Sequence, residues 1–213
     1  MQQTMTFDDT SRSLSQTLRD LISGIRGKTV SLRDLMDQVG EQGLLLICAV
    51  ASLPFLIPVS IPGVSTVFGA AIILVSIAIC LNRMPWLPAR ILDRKLDSAK
   101  LVPALEKGAH LVGRVDRFFK PRLAALTAGG AIGRINALAI TFGGVLLMFP
   151  LGLIPFSNTL PGIAILLLST GMMQRDGLVV LGGYLFLAIT TVYFGALTFM
   201  AIAAGKGLAG TFA

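Results

Sequence analysis

Three long tracts of the chain, residues 43–81, 135–174 and 177–205, contain no charged residue. The first is broken in its middle by Pro54, Pro58, Pro62 and Gly63. Each proline removes a backbone donor and clashes with the preceding turn, so one continuous helix cannot run through them. The pattern predicts two apolar helices, 43–57 and 64–81, joined at a proline-rich bend. At 1.5 Å per residue they would be about 22 and 27 Å long, against a hydrocarbon core about 30 Å thick. Either a thin transmembrane hairpin or a re-entrant one fits these lengths. The second tract bends in the same manner at Pro150, Pro155 and Pro161. The third is uninterrupted and long enough to span outright.

The polar regions carry a helical period. Leu14, Leu18, Leu21, Ile22 and Ile25 form one amphipathic stripe, and Leu32, Leu35, Met36 and Val39 another that stops at Gly40. In the charged middle, Pro88 can open a helix with Ile91, Leu92 and Leu96 on one side. Leu105, Ala109, Val112, Val115 and Phe119 mark a second, and the pair reads as interfacial amphipathic helices. The glycine-rich stretch 123–133 reads as a linker. Five segments follow: amphipathic helices in 1–42, a hydrophobic hairpin in 43–81, basic interfacial helices and a linker in 82–134, a second hairpin in 135–174, and a C-terminal transmembrane helix in 177–205.

The two broken tracts are related. Sliding the chain by 93 positions lays Ile61-Pro62 on Ile154-Pro155, Thr66 on Thr159, Gly69 on Gly162 and Ser76 on Ser169. Residues 61–76 match residues 154–169 at eight of sixteen positions without a gap, and 40–79 match 133–172 at twelve of forty. Shared apolar composition alone would give about one match in ten. The fold class predicted is therefore an all-α integral membrane protein. It comprises two repeated proline-broken helical hairpins, a C-terminal transmembrane helix and amphipathic interfacial helices.

Composition agrees: the 213 residues are 54 % hydrophobic and 14 % charged, with mean hydropathy +0.79. The net charge of +7 is clustered, with ten of the eighteen Lys and Arg between Arg83 and Arg122 and five before Gly40. Basic clusters beside apolar tracts mark the cytoplasmic side and suit anionic headgroups. No nucleic-acid motif accompanies the charge, so nucleic acid is not an expected partner. This charge map puts residues 1–40, 83–134 and Arg175 in the cytoplasm and gives both hairpins the same membrane sense. Opposed hairpins would carry Arg114, Asp116, Arg117, Lys120 and Arg122 through the bilayer, at a few kcal/mol each. The polar start of the chain lacks the apolar core of a secretory signal, so the internal tracts are expected to direct insertion.

Several motifs together resemble a known family. They are Val30-Ser31-Leu32-Arg33-Asp34-Leu35 with Gly40, Trp86-Leu87-Pro88, and Pro121-Arg122-Leu123. To these add Ile154-Pro155-Phe156-Ser157-Asn158-Thr159-Leu160-Pro161 and Met173-Gln174-Arg175-Asp176-Gly177-Leu178. In order and spacing they resemble the ExoD family of exopolysaccharide-synthesis membrane proteins, over roughly residues 14–199. The resemblance implies a multi-pass protein of the bacterial inner membrane connected with exopolysaccharide production or export. It implies no reaction.

Candidate chemistry is sparse. His110 is the single histidine, and all eleven carboxylates lie outside the apolar tracts. With no acid–base pair, metal-ligand spacing or phosphate loop, neither an enzyme nor a metal or cofactor is expected. Cys48 and Cys80 read as inert thiols. The bends are better candidates, because irregular backbone at membrane depth must be buried in protein or line a polar cavity. Ser65, Thr66, Gly69, Ser157, Asn158, Thr159 and Gly162 lie where a helix follows each bend, and helix N-termini suit phosphate or carboxylate. The plainer alternative is that Thr66, Asn158 and Thr159 cap helices. Trp86, Arg122, Arg175 and Asp176 are expected at the membrane edge, as anchors, as an ion pair or cap, or as a gate. Expected partners are membrane lipids with anionic headgroups, a polyprenyl-phosphate-type carrier and polysaccharide-synthesis proteins. Gly143-Gly144 and Gly182-Gly183 would suit either a homodimer or contacts within one chain. An assembly subunit of a synthase or exporter, and a small ion or solute transporter, are the alternative functions.

Overall fold

The computed structural model describes residues 29–56, 63–82, 95–97, 122–149 and 154–211, with isolated positions 22, 102 and 106. The predicted helix over 14–25 apart from Ile22, Trp86, Pro58, Pro62, Pro150, His110 and the stripe 105–119 fall outside the described residues.

Five helices carry the fold: α1 (Leu32–Ser52), α2 (Val64–Cys80), α3 (Gly130–Met148), α4 (Thr159–Met173) and α5 (Gly177–Thr211). The all-helical expectation is met apart from one short ribbon, in which β1 (Thr29–Ser31) pairs antiparallel with β2 (Lys95–Asp97). Leu96 was expected on a helical face, but it sits opposite Val30 in this ribbon. Thr29 and Val30 are β-branched and favour extended backbone over helix.

Helix α1 is two helices merged at Gly40, whose φ of 58° and ψ of −146° no helix interior tolerates. Its end differs from the expected residue 57. Pro54 disfavours α-helical backbone in the residue before it, and the chain turns into a 3-10 helix at Leu53–Leu56. Helix α3 begins at Gly130, inside the stretch read as a linker. The glycines there mask the helical signal, and the break falls at Gly129 (φ 98°).

Helix α1 packs on α4 and α2 on α3, while α5 lies along α4. The core gathers Leu45, Cys48, Ile72, Ile140, Leu147, Ile165, Leu168 and Val180 from all five helices. Small residues set the closest approaches. A Cβ on Gly69 would fall 2.6 Å from Met148 Cγ, one on Gly162 2.9 Å from Phe55 Cβ, and one on Gly183 2.7 Å from Leu168 Cγ. Gly143 and Gly144 are likewise filled by Ile165 and Ile73. The glycine pairs that suited a homodimer thus serve contacts within the chain.

Local geometry recurs at the 93-residue spacing. Positive φ occurs at Gly63 (85°) and Phe156 (62°), and at Asn82 (50°) and Arg175 (52°). The bond from Val67 N–H to Gly63 O (3.2 Å) corresponds to that from Leu160 N–H to Phe156 O (3.1 Å). Asn82 N–H to Ile79 O (3.0 Å) corresponds to Arg175 N–H to Met172 O (3.2 Å). The contact of Gly69 with Met148 corresponds to that of Gly162 with Phe55, with the two segments exchanged.

Two helices are long and apolar enough to cross a membrane, Gly130–Met148 with mean hydropathy 1.6 and Gly177–Ala203 with 2.0. Residues 40–56, 64–80 and 159–173 form shorter apolar helices. The outer surface is itself apolar: Val67, Val192 and Phe199 are each about 70 % exposed, at 68 %, 72 % and 73 %.

Candidate functional site

Two regions compete for the site, one at each end of the helix pairs. At the bends, Gly69 and Gly162 are occupied as packing surfaces, against Met148 and Phe55. Ser65, Ser157 and Asn158 are buried, whereas Thr66 is exposed in the first turn of α2 and Thr159 is half-buried at the start of α4. Asn158 stands at the N-cap of α4, yet its side chain makes no capping bond, and neither does the α2 N-cap, Gly63. Pro54 lies in the 3-10 turn, Pro155 in the second bend and Pro161 buried in the first turn of α4. The hydroxyl of Tyr193 donates to the Pro155 carbonyl at 2.8 Å, tying α5 to that bend.

The other end is where α1 resumes after Gly40, α2 ends, α3 begins and α4 ends. These four ends surround a cavity of about 320 Å³. Its polar wall comprises Glu41, Gln42, Asn82, Thr127, Arg134 and Arg175, with the backbone of Gly129, Gly130 and Gly133. Burial pushes the Glu41 carboxyl above its ordinary value, and the Arg175 guanidinium partly opposes that rise. Glu41 lies outside the apolar tract, so this shift belongs to the polar rim. Sequence reasoning missed Glu41, Gln42, Asn82, Thr127 and Arg134. One available signal was that Glu41 and Arg134 are 93 residues apart, as are Asn82 and Arg175.

A polar framework braces this end. Asn136, 2 % exposed, donates through Nδ2 to the Leu126 carbonyl at 3.0 Å and accepts from the Tyr184 hydroxyl at 2.8 Å. Gly177 N–H donates to the Arg122 carbonyl at 2.7 Å, so Pro121-Arg122-Leu123 meets Gln174-Arg175-Asp176-Gly177 in space. A Cβ on Gly177 would run into the Leu123 carbonyl. Of the alternatives weighed for Asp176, capping is what the geometry displays: its Oδ1 accepts from Leu178 N–H at 3.0 Å at the start of α5. Arg175 stands one residue before it, exposed and in left-handed backbone. No group of three or more metal-ligating side chains occurs among the described residues.

The family model described as "Exopolysaccharide synthesis, ExoD" matches residues 14–196. This chain belongs to the ExoD family. It is 67 % identical over 202 residues, 95 % of this chain and 84 % of the relative, to the protein named Protein ExoD of Rhizobium meliloti (strain 1021). It is also 31 % identical over 177 residues to an uncharacterized protein of Synechocystis, covering 81 % of each chain. No solved structure matches. ExoD membership ties the chain to exopolysaccharide synthesis.

Proposed function

We propose that this ExoD-family chain is a non-enzymatic, multi-pass protein of the bacterial inner membrane. Two copies of one broken hairpin would handle a lipid-linked or otherwise anionic species during exopolysaccharide production. The observation that carries the reading is the 93-residue correspondence, seen as sequence identity and again as paired geometry. The exchanged contacts, Gly69 with Met148 and Gly162 with Phe55, are what a pseudo-two-fold between two hairpins produces. The four helix ends around one cavity support hairpins of the same sense, with their open ends at the basic, cytoplasmic side.

Helix α5 supplies a ruler. It leaves the open end at Gly177 and reaches the bend at Tyr193, a rise of about 24 Å for sixteen residues. Apolar sequence continues to Ala203, beyond the bend. A hairpin that stops short of a 30 Å core while its neighbour crosses supports the re-entrant reading. Depth can be measured by cysteine labelling at the exposed bend residues Thr66 and Phe156, in a background with Cys48 and Cys80 replaced by alanine. Protection from both faces of sealed vesicles is expected; labelling of both sites from outside alone would replace re-entry with a full crossing. The role itself is tested by deleting the gene and measuring secreted polysaccharide. Yield should fall and return with the full-length chain, and an unchanged yield would remove the proposal.

A further inference from the structure

We propose that the cavity at the open end binds a phosphate-type oxyanion, a phosphomonoester or diphosphate, held by Arg134 and Arg175. This deepens the preceding reading and rests on it for the role of the anion. Four observations converge. The cavity, about 320 Å³, is large enough for a diphosphate with part of its substituent, and among the described residues two arginines and one acidic residue, Glu41, line it. Guanidinium forks match phosphate oxygens two at a time.

Second, burial disfavours the charged form of Glu41, so this carboxyl opposes an anion less than a fully exposed one would. Third, α3 opens beside the cavity at Gly129 and Gly130 with no side-chain cap and no acidic residue in its first turn. Its backbone donors therefore add to the arginines in that wall.

The fourth observation compares positions 93 apart. Asn82 and Arg175 both end a helix in left-handed backbone, at φ 50° and 52°. Asparagine adopts this conformation readily, whereas most other side chains adopt it only at a cost. Arginine holds the strained position in the second copy, and it lines the cavity. Strain held at a cavity points to function. The same comparison sets Arg134 where the first copy has Glu41. Both differences place a cation in the second copy, on the wall of the one cavity that the copies share.

The test uses the full chain in non-ionic detergent, titrated with inorganic pyrophosphate and, separately, with a polyprenyl monophosphate. Binding is read by thermal shift and by native mass spectrometry. Saturable stabilisation by pyrophosphate is expected. Arg134→Gln and Arg175→Gln should each weaken it about tenfold or more, the loss of one charged hydrogen-bonded partner. The double variant should abolish it, while Glu41→Gln should tighten it at neutral pH. Lys206→Gln controls for loss of a cation elsewhere. Both arginines are exposed, so the unliganded variants should keep the wild-type melting temperature; if either fails to fold, Arg175→Lys with Arg134→Lys, which retain charge but not the fork, replace them and should weaken binding. Wild type that binds neither probe, or binding indifferent to all the arginine variants, overturns the site. A site that takes pyrophosphate but gains nothing from the polyprenyl chain stands, and the lipid-linked reading of the function falls instead.

Discussion

The two ends of the helix pairs are built on opposite terms. At the bends, small residues let helices close on one another: Gly162 sits under Phe55, Gly69 under Met148, and Phe55 stacks edge-on against Phe68 at 5.9 Å. At the open end, the same helices part around a polar cavity walled by two arginines and a glutamate. The difference follows from where each end lies along the charge map. Apolar tracts approach closely because nothing polar needs solvating, and glycine lets dispersion contacts form at short range. Charged ends must keep water or a ligand between them, since pairing desolvated ions is costly. The same helices therefore have a packed end and a polar end, and Pro54, Pro155 and Pro161 belong to the packed one.

The contrast is broken most severely by filling a glycine at the packed end. Gly162→Leu forces a branched side chain into the Phe55 backbone, and overpacking of this kind costs about 1–3 kcal/mol or more. The expected outcome is loss of the monodisperse peak in size-exclusion chromatography. Gly133→Ala, at the polar end, meets no atom within 4 Å and should instead gain about 0.5–1 kcal/mol from helix propensity. Equal losses at both glycines would erase the distinction between the ends.

Next in size is the brace at the open end. Asn136→Ala deletes two hydrogen bonds and strands the Leu126 carbonyl and the Tyr184 hydroxyl, a cost of about 1–3 kcal/mol. Tyr184→Phe removes one bond and should cost about 1 kcal/mol. The double variant should be less destabilised than the sum, because the two residues share one bond. Strict additivity in thermal unfolding would show that the bond contributes nothing.

Much of this was legible in the residues, and the limits have physical causes. The prolines located both bends because proline removes a donor whatever surrounds it, and residues 64–81 were placed within one residue of α2. The start of α3 was missed because glycine is poor in an isolated helix, whereas here Asn136 and Gly177 tie the segment into tertiary contacts that override propensity. The β1–β2 ribbon joins Val30 to Leu96, distant in sequence, a pairing no local pattern announces. The cavity was invisible for the same reason: its wall comes from four helix ends, and its charges looked like ordinary interfacial basic residues. Only the 93-residue spacing of the matched positions, applied to Glu41 and Arg134, could have suggested that they share a site.

At the bend, Tyr193→Phe tests how firmly α5 holds the Pro155 turn. It removes one partly exposed bond to the Pro155 carbonyl, worth about 0.5–1.5 kcal/mol. The ring's edge contact with Phe194, at 6.2 Å between centroids, is retained. A small fall in melting temperature with faster labelling of a cysteine at Phe156 is expected. A fall as large as that of Asn136→Ala would mean that the bend, too, depends on polar bracing.

The smallest effect, and the one most specific to the polar end, is carried by Glu41. Its folded pKa is raised above the ordinary 4.5 by burial, with Arg175 opposing, so the folded protein holds that proton more tightly than the unfolded chain. The sign follows from linkage. Stability from the neutral carboxyl is complete below the ordinary value and is lost as pH rises through the raised one. Arg175, which opposes the rise, sets the size of the loss but not its direction, and Arg134 lines the same cavity. Glutamine keeps the shape and the hydrogen-bonding reach of the neutral acid without the titration. Glu41→Gln should therefore match wild type in acid and melt above it at neutral pH, the gap opening between the two pKa values. A gap of the opposite sign would mean that the carboxylate is held by the arginines as a favourable ion pair. The cavity would then be partly neutralised from within, leaving one unbalanced arginine rather than two for an incoming anion.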